Sequence, residues 1–387
     1  VVFLVSLFVM SGFAQENNPI VLGGTLPLTG VYAETGKWVQ KGYQAWADDI
    51  NAAGGLLGRP VKVVTYDDTS SVATAVTLLE KLITVDKVDL VLGGYPGTAA
   101  AAQMAVAEQY GKVYVSMGGH MPSFLQGYQY SFSATPLMGE WWAEGLGRWL
   151  ESLPEEERPK SAAILSMNNI IGKGCRESIV GWMDKLGIPI LVDETYDLPL
   201  ASAEALVSEC KQSGAEAMFS NGFFGDGVLT VKAMKSLEYS PKLLYQSIGN
   251  LVPAWVEELG EEGYYVFSGT AIHHGFPYPD IQRLNEFCQE EYNQEYAPDY
   301  FLFGYSWAQT LQKGVEGAGT LDQEEIVEYL RNNSIEIISG TYSFDEKGLP
   351  EPYGYLTQVL DDGVQLIWPP EVATSEVVYP FPAWEDR

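Results

Sequence analysis

Two rhythms of apolar and polar residues alternate along this chain. Residues 20–26 form an apolar run that ends at Pro27-Leu28-Thr29-Gly30, and residues 38–50 then carry apolar side chains at helical spacing, which predicts a strand, a tight loop and a helix in that order. A glycine-punctuated turn at 51–59 leads into a strand at 61–66. The alternation continues with helix 73–83, strand 90–92, helix 99–110 and strand 113–116. Strands separated by single helices predict parallel pairing with right-handed crossovers. After Pro136 a second series of the same kind begins: helix 141–150, strands at 162–165 and 188–192, helices near 177–186, 203–212 and 228–237, and strands at 217–220 and 242–246. Helices at 253–258, 281–292, 305–317 and 323–332 and a strand at 265–268 follow. No repeat of fixed period marks a solenoid.

The full length of 387 residues, 46% hydrophobic and 19% charged, suits two compact units. Residues 1–10 are apolar but for Ser6, and Ser11-Gly12-Phe13-Ala14 places small residues ahead of Gln15, so 1–14 reads as the remnant of an export signal, predicting a periplasmic location. No cysteine follows that block to carry a lipid. Cys175, Cys210 and Cys288 lie far apart without a CxxC pair, which argues against a disulfide scaffold or a structural zinc and leaves one pairing open. A formal charge of −29 opposes contact with nucleic acid or anionic lipid.

Chemistry-bearing motifs are sparse. There is no GxxxxGK[ST] loop, no HExxH and no GxSxG, and neither Gly93-Gly94 nor Gly118-Gly119 completes GxGxxG. No cofactor and no metal is expected. His273 and His274, adjacent in an expected strand, would point to opposite faces, one packed and one exposed. His120 instead follows the strand at 113–116, in a loop where open α/β sheets bind ligands. Tyr32, Tyr95, Phe223 and Phe224 lie in similar loops, with Tyr300 and Phe301 before a helix. Together they read as an apolar clamp for a small molecule.

Gly24 to Gly30 with Gly36, the segment Asp49-Ile50-Asn51-Ala52-Ala53-Gly54-Gly55 with Gly58-Arg59, Tyr66-Asp67-Asp68, and Gly340-Thr341-Tyr342-Ser343-Phe344-Asp345-Glu346-Lys347-Gly348 resemble the branched-chain amino-acid-type (type I) periplasmic binding proteins of ABC importers. The resemblance runs from about Ile20 to beyond Gly363. It implies an α/β fold of two Rossmann-like lobes joined by a three-stranded hinge, with crossovers near Pro136, Ser247 and Gly340. One lobe would comprise 20–136 plus 248–340, the other 137–247 plus 341–387. It further implies a monomer that closes on a small ligand and delivers it to a membrane permease, without catalysis. Carried over residue by residue, the ligand set is Tyr32, Thr35, Tyr95, Gly97, Thr98, Gly118, Gly119 and His120 from one lobe, and Ile171, Phe223 and Ser247 from the other. Tyr300 joins them from the aromatic pattern.

Three positions depart from the family. Its amino-acid binders usually place a hydroxyl at Gly97, a tyrosine at Ile171 and an ammonium-pairing carboxylate at Ser247. An α-ammonium ion would lose its counter-charge here, and an unpaired buried charge costs several kcal/mol or more. The expected ligand is therefore an uncharged, aromatic or carboxylate compound, its polar end meeting His120, Thr98 and backbone N–H groups. The positions where family members often carry a disulfide are Ser70 and Pro96. Two other readings stay open: a regulatory sensor of amides on the same fold, and an α/β enzyme using His120 as a base.

Overall fold

A computed structural model describes residues 18–117, 121–135 and 139–387. The export-signal remnant, the Gly118-Gly119-His120 loop and the crossover expected near Pro136 lie outside them. Two separate parallel sheets organise the chain. The first is five-stranded, in the order β2-β1-β3-β4-β5, from β1 (Ile20–Leu26), β2 (Val61–Asp67), β3 (Leu90–Leu92), β4 (Tyr114–Ser116) and β5 (Ser131–Ser133). The second is seven-stranded, built from β6 (Ala162–Met167), β7 (Ile190–Tyr196), β8 (Ala217–Asn221), β9 (Leu243–Gln246), β10 (Phe267–Thr270), β13 (Tyr355–Leu360) and β14 (Gly363–Trp368), in the order β14-β13-β10-β9-β8-β6-β7. Its first five strands are parallel neighbours and the β13–β14 hairpin adds antiparallel. A small hairpin, β11 (Ile335–Ile337) and β12 (Gly340–Tyr342), stands apart.

Helices follow the strands as parallel topology requires: α1 (Ala33–Ala52), α2 (Val72–Thr84), α3 (Gly97–Gln109) and the short α4 (Met121–Phe124) in the first lobe. In the second are α5 (Glu144–Ser152), α6 (Ile170–Leu186), α7 (Glu204–Ser213), α8 (Phe224–Ser236) and α9 (Ala254–Leu259). The chain then returns to the first lobe with α10 (Pro279–Tyr292), α11 (Asp299–Ala318) and α12 (Gln323–Asn332). Helix α6 shows how sequence sets such boundaries. Asn169 sits extended at its N-terminus and its side-chain oxygen accepts from the Ile171 and Gly172 N–H groups at 3.0 and 2.9 Å, while Gly187 ends it in the left-handed region at φ 68°.

The division between lobes differs from the sequence expectation in two places. Strand β10 pairs with β9 and β13, so residues 248–270 belong with the second sheet, and the second crossover falls after Thr270 rather than near Ser247. The third falls after Leu349, not near Gly340: β11–β12 packs beside α11, the Ser133 N–H still meets the Gly348 carbonyl at 2.9 Å, and Leu349 packs in the first lobe's core. An apolar strand reads the same whichever sheet it joins, because pairing partners leave no local signature.

Helices α1 and α11 form the main buttress of the first lobe. They approach at glycine: a Cβ on Gly42 would overlap the Phe301 carbonyl oxygen, and one on Gly304 would overlap that of Val39. Each helix thus seats the other's backbone directly on its own.

At the second crossover the Thr270 hydroxyl oxygen lies 2.7 Å from both the Ile272 carbonyl and Asp299 Oδ2. A hydroxyl has one hydrogen, so both contacts are hydrogen bonds only if the Asp299 carboxyl is protonated and donates to Thr270, which donates to Ile272. Burial pushes that carboxyl up to about 7, against the Thr270 contact, which acts to lower it. Because an unfolded aspartate titrates near about 3.9, the folded chain holds a proton the unfolded chain has lost between those values. The stabilisation is complete below about pH 4 and disappears as pH rises through about 7. Asp299→Asn supplies a permanent donor to Thr270. Thermal melts from pH 4 to 8 should show a flatter slope for the variant and a gain on the order of 1–2 kcal/mol at pH 8; a lower melting temperature than wild type at pH 8 would contradict the protonated relay.

Candidate ligand-binding site between the lobes

The two lobes meet over a narrow gap whose free volume is only about 10 Å³, room for about one water. Tyr95, Pro96, Gly97, Met117 and Tyr300 wall it from the first lobe, and Gly139, Trp142, Ile171, Phe223 and Ile248 from the second. Strand ends deliver most of these residues. Tyr95 to Gly97 follow β3 and open α3, Met117 follows β4, Ile171 opens α6 after β6, and Phe223 stands between β8 and α8. Among the described residues the lining carries no carboxylate and no cation. Its aromatic rings interlock at edge-to-face geometry, Tyr95 with Tyr300 at 5.4 Å and with Phe223 at 6.5 Å between centroids.

Polar atoms in this wall stand out because they are unmatched. The hydroxyls of Tyr95 and Tyr300 and the indole N–H of Trp142 are buried without a hydrogen-bond partner. Tyr95 is near enough to Thr35 and Tyr300 for their dipoles to offset part of its burial, yet neither stands at hydrogen-bonding geometry. Burial raises both phenols far above their ordinary value, so they are neutral donors at every physiological pH. Trp142 is fixed from behind: its carbonyl accepts from the Tyr245 hydroxyl at 2.7 Å, and the next N–H, of Ala143, donates to Ser178 Oγ at 3.1 Å.

Tyr32 and Phe223 close the outer side, their rings in edge contact at 4.6 Å across the lobes. Beyond them lies an apolar groove of about 230 Å³, lined by Val31, Leu198, Pro199, Leu200, Phe224 and Leu229 together with Asp226. Asp226 accepts from the N–H groups of Phe223 and Leu200 at 3.1 and 3.2 Å, tying the loop that carries Phe223 to the strand-end loop beside it. Burial raises the Asp226 carboxyl, and those two N–H groups hold part of the rise back.

Of the residues singled out from sequence, the structure brings Tyr95, Gly97, Ile171, Phe223 and Tyr300 onto one wall, with Tyr32 at its rim and Thr35 behind Tyr95. Thr98 lies one residue into α3 and outside the lining; Gly118, Gly119 and His120 lie outside the described residues. Ser247 is fully buried past the end of β9, its hydroxyl unpartnered and close to the Cys175 thiol, and it does not border the space. Tyr300 lies in the first turn of α11 rather than before it: the helix starts at Asp299, directly after Pro298. Pro96, Met117, Gly139, Trp142 and Ile248 were not foreseen. Pro96 and Ile248 adjoin residues that were; Trp142 reads as an ordinary buried residue at the head of an amphipathic helix.

His273 and His274 are not in a strand and do not point apart. Their rings lie 3.9 Å centroid to centroid, and His274 stacks on Tyr296 at 3.8 Å. His273 donates from Nε2 to the Val364 carbonyl and accepts at Nδ1 from the Gly275 N–H, both at 2.9 Å, which requires a neutral ring. Burial lowers both imidazoles, His274 to about 4. Cys175, Cys210 and Cys288 are all free and buried, and burial pushes each thiol up to about 12. Among the described residues no His/Cys/Asp/Glu group could hold a metal ion, and no helix is long and apolar enough to cross a membrane.

Two parallel-sheet lobes, three crossovers and an apolar space shut between strand ends define a two-lobed binding protein. The chain belongs to the periplasmic binding protein family, whose model matches residues 19–364. A relative from Pseudomonas aeruginosa, the leucine-, isoleucine-, valine-, threonine- and alanine-binding protein, is 24% identical over 343 residues, 88% of this chain and 89% of its own. Among solved structures, the branched-chain amino acid transporter substrate binding protein of Streptococcus pneumoniae in complex with isoleucine superposes with a TM-score of 0.80 at 20% identity, covering 91% of this chain and 100% of that one. A solute binding protein of an ABC transporter from R. palustris, in complex with benzoate, also gives 0.80, at 16% identity and covering 95% and 98%. The fold is that of type I periplasmic binding proteins of the branched-chain amino acid transporter kind.

Proposed function

We propose that this protein is the exported solute-binding component of an ABC importer, closing its lobes on a small organic ligand that lacks an α-ammonium group. The observation that carries the reading is the space itself: five residues from each lobe surround it, and none offers a carboxylate. Leaving a buried ammonium unpaired costs several kcal/mol. Once the lobes part, the apolar faces of Ile171, Phe223, Tyr95 and Tyr300 suit an aromatic or carboxylate compound of modest size better, with Tyr32 as the outer door. Gly97, Thr98 and the loop Gly118-Gly119-His120 complete the proposed ligand set on the first lobe.

Ligand contacts on both lobes favour the closed form by the difference in affinity between closed and open states, and that form is the one offered to the permease. The role is non-catalytic. The Cys175 thiol, protonated at neutral pH, is no ready nucleophile. The protein acts as a monomer, exported by the segment 1–14.

A thermal-shift screen of aromatic acids, amides and standard amino acids tests this. A ligand at a hundredfold excess over Kd stabilises by about 2.7 kcal/mol. Aromatic acids or amides should give the largest shifts; leucine or valine shifting most, with aromatic acids silent, would overturn it.

A further inference from the structure

We infer that a cup at the hinge binds a quaternary ammonium compound, held by the phenol rings of Tyr278, Tyr342, Tyr353 and Tyr355 and the carboxylate of Glu351. This site is independent of the cleft, with which it shares no lining residue. Its free volume of about 500 Å³ is that of an ordinary small-molecule site, about 300–1,000 Å³.

The crossovers bring the rings together. Tyr278 leads into α10 and Tyr342 ends β12, both in the first lobe, whereas Tyr355 opens β13 in the second lobe, two residues after Tyr353. Ala271 and Pro350, at the second and third crossovers, line the cup as well, so it lies on the hinge itself. Phe276, buried and outside the lining, packs against Tyr278 at 5.9 Å and Tyr355 at 4.7 Å, which gathers rings of both lobes into one cluster. Tyr353 meets Tyr355 edge-on at 4.7 Å. Tyr278 and Tyr353 keep 40% and 38% of their surface exposed, so ring surface is open to a guest.

The lining selects among guests. An anion would meet Glu351, the one charged side chain among the described lining residues, in a chain of formal charge −29. A metal ion needs several hard oxygen ligands, and among the described residues no His/Cys/Asp/Glu group could supply them. A primary ammonium or guanidinium brings N–H donors that each want an acceptor, and one exposed carboxylate serves them only in part. A quaternary ammonium has no N–H to satisfy. Its charge is drawn to the negative faces of aromatic rings and to a carboxylate, and the cup supplies both. No cation of the chain takes its place among the described lining residues: Arg148, 5.9 Å from the Tyr353 centroid, is held by Glu144 at 2.8 Å and stands outside the lining.

Calorimetric titration of the full chain with choline and with dimethylbutanol, its neutral carbon isostere, tests the site. Choline should bind about tenfold more tightly than the isostere, because only choline carries the charge. Tyr353→Phe keeps the ring and should bind choline as wild type does, whereas Tyr353→Ala combined with Glu351→Gln should lose about tenfold or more. Both side chains are exposed, so these variants should melt as wild type does. Phe223→Ala, which disturbs the cleft, should leave choline binding within about twofold of wild type, since Phe223 does not line the cup. No binding of choline, or equal binding of choline and its isostere, would overturn the site. A loss in Tyr353→Phe as large as in the double variant would assign binding to the hydroxyl and overturn the aromatic role. Loss of choline binding in Phe223→Ala but not in the double variant would make choline a ligand of the cleft, and the hinge site would fall while the cleft reading survives.

Discussion

Phe223→Ala is expected to weaken ligand binding about thirty- to a thousandfold. The ring touches Tyr32 and Tyr95 of the opposite lobe at 4.6 and 6.5 Å and walls both the inner space and the outer groove. Truncating a central aromatic anchor of this kind costs about 2–4 kcal/mol of binding, and each 1.4 kcal/mol is about tenfold. The variant opens the rim to water and removes the ring that spans to Tyr32. Its fold should persist, because Asp226 holds the backbone of residue 223 through the N–H, which alanine keeps. Calorimetry with the best ligand of the thermal-shift screen measures the effect. A loss smaller than about threefold would show that the ring is not a gripping surface.

The largest loss of stability is expected at the glycine contact between α1 and α11. In an open helix Gly→Ala would stabilise by about 1 kcal/mol. At Gly42 the new methyl group meets the Phe301 carbonyl, and at Gly304 it meets that of Val39. Backbone atoms have no rotamer to turn away, so the helices must separate, and overpacking costs about 1–3 kcal/mol or somewhat more. The steric term wins, leaving either single variant about 2 kcal/mol less stable by urea unfolding. The double variant should lose less than the sum, since one separation relieves both overlaps. Variants within 0.5 kcal/mol of wild type would mean the helices ride further apart than described.

Much of this architecture was legible in the sequence, for a specific reason. Regular alternation of apolar strands with amphipathic helices leaves few topologies, and residues placed just after strands, such as Tyr95, Ile171 and Phe223, inherit their position from that topology. What failed to show lacked a local mark. Strand β10 is an apolar stretch that either sheet could take, and only its ladders with β9 and β13 assign it. Trp142 lies in no strand-end loop of the second sheet; it reaches the space because the Tyr245 hydroxyl and Ser178 hold its segment over β9 and α6. The stacking of His273, His274 and Tyr296 joins residues more than twenty positions apart, beyond any periodicity argument.

Asn169 has a wider meaning for how this molecule changes over generations. Its side chain already occupies the leading N–H groups of α6, so the second lobe presents no bare helix terminus there to seize whatever anion arrives. Choosiness on that side falls to individual rings and branched chains, each of which a single codon can exchange without disturbing the main chain behind it. Such a surface can drift from one nutrient to another in small steps while the scaffold stays put.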